Sequence, residues 1–61
     1  MGYREVRELA RIRTELRERL MTRRYDGAPN VISRFTELAA DDRELRGEVE
    51  RWRMRFQLLA A

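Results

Sequence analysis

Apolar residues recur at Val31, Phe35, Leu38, Leu45, Val49, Trp52, Phe56 and Leu59, in steps of four and three, with one gap where Asp42 falls in the same phase. A repeat averaging about 3.5 residues, held for about four heptads, predicts a helix with a long apolar seam. A strand would alternate every second residue, and this stretch does not. Thirty helical residues at ~1.5 Å each span ~45 Å. A helix of that length cannot hide its stripe by itself. The first third of the chain, a second copy or a partner must cover it.

Sixty-one residues allow one domain. A chain this small hides only about 60% of its unfolded surface, so its own core is thin. Cysteine is absent, which removes disulfide staples and thiolate metal sites. Small chains without staples often gain stability by assembling. Charged residues make up 41% of the chain, and every basic residue is arginine. Net charge is +3, unevenly spread: residues 1–25 carry eight Arg and four Glu, whereas residues 30–61 carry six of each sign. A charged helix face is usually just a solvated one. The sharper reading is arginine kept for bidentate pairing or phosphate contact. No apolar run is long enough to span a membrane, and the first residues lack an apolar signal-peptide core. The cytoplasm, or the interior of a larger assembly, is the expected location.

From Tyr3 to Tyr25 the pattern is helical, with Val6, Leu9, Ile12, Leu16 and Leu20 on one face and Tyr3, Ala10 and Met21 at its edge. Arg4/Glu8, Arg11/Glu15 and Glu15/Arg19 are spaced as helix-surface ion pairs. The stretch from Tyr25 to Asn30 breaks the pattern. Gly27 suits the left-handed residue that ends a helix. Pro29 suits a first helical turn, and Asn30 or Asp26 suits the cap. The expected fold is therefore all-α. It is a single helical-hairpin domain over 1–61, with helix 1 at about 3–25, a turn at 26–30 and helix 2 at about 31–59. The unbroken seam favours a continuous, coiled-coil-like second helix. The alternative is a break near 40–42, where Asp41 and Glu44 resemble an acidic capping box and would open a third helix.

An antiparallel hairpin turning near 27–28 pairs residues whose numbers sum to about 55. Tyr3 then meets Trp52, Val6 meets Val49, and Leu20 meets Phe35. The same register sets Arg13 against Asp42, an expected ion pair across the hairpin that would penalise other registers. Helix 1 runs out opposite Trp52, which leaves Met54, Phe56, Leu58 and Leu59 as an uncovered apolar overhang. A second face, Ser33, Ala40, Gly47, Met54 and Ala61, is spaced by seven and mostly small. Gly47 inside a helix costs about 1 kcal/mol against Ala, a cost that close approach of another helix would justify. Gly47, Trp52, Met54, Phe56, Leu58 and Leu59 are the candidate interface residues, with Trp52 and Phe56 as aromatic anchors.

The chemistry of catalysis is missing. There is no histidine, cysteine or lysine, and Ser33 has no base to activate it. Zinc sites want Cys and His, and neither Gly27 nor Gly47 belongs to a phosphate loop. No enzyme, metal or cofactor is expected. The run from Val31 to Leu38 resembles part of a helix in the all-helical chorismate mutases, and Val6–Glu8 through Arg23–Arg24 is loosely similar to their first helix. That resemblance implies a dimeric enzyme holding a dianionic substrate with several Arg, a Lys and a Glu or Gln. This chain has no Lys, is shorter, and matches none of those polar positions, so no site residue is carried over. A nucleic-acid reading rests on Arg4, Arg7 and Arg11, which share the outer side of helix 1. Rop-type plasmid copy-number regulators are similar in expected architecture and length, though not in sequence, and bind RNA through one basic face. The favoured reading is a helical assembly or adaptor subunit that self-associates or docks on a partner helix.

Overall fold

The computed structural model describes residues 2–60 and shows three helices. These are α1 (Tyr3–Thr22), α2 (Ala28–Leu38) and α3 (Arg43–Ala60). The central helix α2 packs on both neighbours, while α1 and α3 approach each other much less. The chain measures 34 × 18 × 14 Å. Its core draws on all three helices: Leu9, Ile12 and Leu16 from α1, Ala28, Ile32 and Phe35 from α2, Ala39 from the following turn, and Val49 and Phe56 from α3. Phe35, Leu16 and Val49 are the largest side chains wholly removed from water. Burying a side chain of that size contributes about 1.5–3 kcal/mol.

Helix α1 starts where the Glu5 carboxylate accepts the Gly2 backbone N–H at 3.2 Å. An acid in the first turn also suits the positive end of the helix dipole. The helix ends three residues earlier than the sequence pattern suggests. Arg23 takes the left-handed conformation, φ 58° and ψ 34°, and Arg24 donates its backbone N–H to the Arg19 carbonyl at 2.9 Å. Gly27 was expected in that left-handed role and does not fill it; its φ of −90° is ordinary. Glycine leaves room there for the end of the flexible Arg19 side chain, which a larger residue would push aside. A Cβ at position 27 would stand 2.7 Å from Cζ of Arg19, whose guanidinium lies across the turn. The turn therefore falls at 23–27, and α2 opens with Pro29 in its first turn, as expected, but with no side-chain cap from Asp26 or Asn30.

The long second helix is broken, and the three-helix alternative holds. Asp42 marks the break: its Oδ1 accepts the Leu45 backbone N–H at 3.1 Å and so caps α3. The expected box of Asp41 with Glu44 is not the cap. The gap in the apolar seam was thus a helix start. A continuous helix would have set Val49 against Val6 and carried Phe56 past the end of α1 into water. Breaking at 39–42 turns α3 back along α2, which buries them to 2% and 6% exposure. The register summing to 55 fails for the same reason. Val6 is 52% exposed although Val49 is buried, and Tyr3 is 76% exposed and lacks the cover expected from Trp52.

Candidate assembly surface

Two ion pairs hold the outer helices to the rest. Arg13 in α1 reaches Glu48 in α3 through two hydrogen bonds, Nε to Oε2 and Nη2 to Oε1, both 2.8 Å. The Trp52 indole N–H donates to the same Oε2 at 3.2 Å. This cluster bridges α1 and α3, whose backbones approach each other much less than either approaches α2, and it replaces the expected Arg13–Asp42 pair. The Arg13 hydrogen bonds hold the Glu48 carboxyl below its ordinary range against the opposing effect of burial. The same bonds push the Arg13 guanidinium up. Arg34 in α2 clasps Glu8 in α1 at 2.5 and 2.8 Å and also reaches Glu37 at 2.8 Å. Hydrogen bonding to Arg34 lowers the Glu8 carboxyl.

The candidate interface residues separate into two groups. Phe56 is not an overhang: it is 6% exposed, its ring edge-on to Tyr25 with centroids 6.0 Å apart. Trp52 is half-buried and packs against the core, 6.4 Å from Phe56, with the Arg55 guanidinium 5.4 Å over its ring. Both aromatic anchors are therefore used inside the chain. Met54, Leu58 and Leu59 remain 60%, 77% and 48% exposed. Turning about 100° per residue, an α-helix sets Gly47, Met54 and Leu58 within an arc of about 40°, directly opposite Val49 and Phe56. Beside Gly47 there is open space. A Cβ there would meet only the guanidinium end of Arg51, at 3.6 Å. Ala61, the last member of the small-residue face, lies outside the described residues.

Charged side chains flank this apolar arc. Arg43 and Glu50 lie along one edge, Glu44 and Arg51 along the other. Among the described residues, Arg43, Glu44 and Arg51 form no hydrogen bond or ion pair, and Glu50 pairs only with its neighbour Arg53. The core-facing side of α3 was legible from its seam. Its exposed side was legible only in part, because the seam pattern does not say that a folded-back helix would cover Phe56 and leave Leu58 outside.

Arg4, Arg7 and Arg11 all lie exposed on α1. The expected partners of Arg4 and Arg11 are engaged elsewhere, Glu8 by Arg34 and Glu15 by Arg19 at 3.6 Å. Arg7 stands 5.8 Å over the Tyr3 ring. None of the three forms an ion pair within the described residues. No helix there is long and apolar enough to cross a membrane. No family model, curated protein or solved structure matches the chain.

Proposed function

We propose that this chain is a non-enzymatic helical assembly module, working in the cytoplasm, that docks on another helix through the outer face of α3. The observation that carries this is the exposure of Met54 and Leu58 at 60% and 77%, on the side of α3 where Gly47 leaves room for a close neighbour. Clustered apolar side chains on a small chain mark a contact surface more often than idle surface. The aromatic anchors expected from the sequence give way to Met54 and Leu58, because the core takes Phe56. Leu59 extends the patch at the end of the helix. Amide NMR spectra recorded on concentrating the protein test this. Shifts should gather at Gly47, Met54 and Leu58 and vanish in Leu58→Glu. Shifts confined to α1, or none at millimolar concentration, would count against it.

A second reading is favoured by the three unpaired arginines. Arg4, Arg7 and Arg11 would bind the phosphates of RNA or DNA. Each lost phosphate contact lowers the slope of log affinity against log salt by about 1. Replacing all three by Gln should abolish retention on RNA, and retention unchanged by that variant would exclude this surface.

A further inference from the structure

We infer that the arginine row of α1 takes single-stranded nucleic acid in particular, with one base stacked on the Tyr3 ring while Arg4, Arg7 and Arg11 hold the strand's phosphates. This inference rests on the nucleic-acid reading above and adds the kind of strand and the residue that selects it. Tyr3 is 76% exposed at the start of α1, and Arg7 stands 5.8 Å over one face of its ring. At that exposure the opposite face of the ring is open to water. Residues four apart are neighbours on a helix surface, so the ring borders the arginine row directly. Every base has a π-face, which makes an open ring beside phosphate-binding arginines a stacking platform for an unpaired base. The bases of a duplex stack on one another and offer the ring no such face.

The fold also sets which way the strand lies. Turning about 100° per residue, α1 places Arg4, Arg7 and Arg11 within an arc of about 60°. Glu8 and Glu15 border that arc on one side, and the fold gives them other partners: Arg34 clasps Glu8, and Arg19 pairs with Glu15. Tyr3, Ala10 and Thr14 border it on the other side, all exposed and none of them acidic. Phosphates on the row therefore send their bases towards Tyr3, away from the carboxylates. Beyond Arg11 the next residue in the arc is Glu18, also exposed, whose charge ends the row for a phosphate. Tyr3 to Arg11 spans about 12 Å along the helix axis. Three phosphates held over that length give a single strand a slope of log affinity against log salt of about −2. So small a contact binds in the micromolar range or weaker.

Fluorescence anisotropy on the full chain at low salt tests this with three labelled probes: an oligothymidylate, the same strand with abasic sites in place of its bases, and a duplex of equal charge. Circular dichroism confirms that each variant stays helical. The oligothymidylate should bind more tightly than the duplex and at least about fivefold more tightly than the abasic strand. Tyr3→Ala should remove that advantage while leaving the abasic strand and the duplex unaffected, and Tyr3→Phe should keep it. Equal binding of the two single strands, tighter binding of the duplex, or indifference to Tyr3→Ala overturns the stacked single strand. The arginine row still stands in those cases if replacing Arg4, Arg7 and Arg11 by Gln abolishes binding. Binding of none of the three probes, or binding untouched by the Gln variant, overturns the row and the stacking with it.

Discussion

Replacing Gly47 by Ala should raise thermal stability and weaken assembly together. Glycine in a helix interior costs about 0.8–1.0 kcal/mol against alanine, because its backbone loses more freedom on folding. The gain is realised only where the added methyl has room. The nearest atom is the end of the Arg51 side chain at 3.6 Å, an ordinary van der Waals distance, and no glycine in the described chain has a positive φ that would strain a Cβ. The whole of about 1 kcal/mol is therefore expected. In a domain of this size that shifts the melting temperature by about 4–8 °C. The same methyl sits where a second helix would come closest and should hold it away. Circular dichroism melts at dilute protein, set beside sedimentation at high protein, read both effects. No rise in the dilute melt would refute the account of the space beside Gly47. A rise with assembly untouched would refute the close approach.

Three further outcomes follow from the fold. Phe56→Ala removes a buried ring that meets Tyr25 and should cost about 3–5 kcal/mol. That is comparable to the whole stability of a domain this small, so urea titration should find it largely unfolded; a loss under 1 kcal/mol would mean Phe56 is free after all. Asp42→Ala should cost about 1 kcal/mol through the lost cap, while Asp41→Ala should be nearly silent, and the reverse order would move the start of α3. Folding also lowers the Glu48 and Glu8 carboxyls from their ordinary value of 4.5, so the unfolded chain binds protons more readily. Their contribution is complete above that value and is lost as pH falls through their folded values. Denaturant titrations from neutral to acid pH should show that loss, and Glu48→Gln should flatten it; an unchanged slope would mean the Arg13 pair is not formed.

Helical periodicity placed Leu9, Ile12, Leu16, Phe35, Val49 and Phe56 in helices, though it put Val31 on the seam where the fold buries Ile32, and Pro29 located the first reversal. The second reversal was harder to read because helices on either side of Asp42 keep the same apolar phase. A seam with a polar gap and a seam with a break look alike until the chain must choose what covers it. Register was beyond the pattern. Arg13 has acidic residues within reach at several registers, and only the fold-back of α3 selects Glu48 over Asp42. Gly27 shows the same limit. Its presence marked the turn, but its neighbour in the fold, the Arg19 guanidinium, lies eight residues away in sequence. Of the proposed docking face, the sequence set Gly47 and Met54 in a small-residue stripe and Leu58 in the expected overhang, whereas the burial of Phe56 depended on a turn that neither pattern encodes.

The most direct test is the mass of the native chain in solution across a range of concentration. A species of twice 7.4 kDa that dissociates on dilution, and that Leu58→Glu reduces to the single chain without loss of helix, is the predicted result. A single chain at every concentration, unaltered by Leu58→Glu and binding no other helix, would contradict the claim that the outer face of α3 is made to be covered.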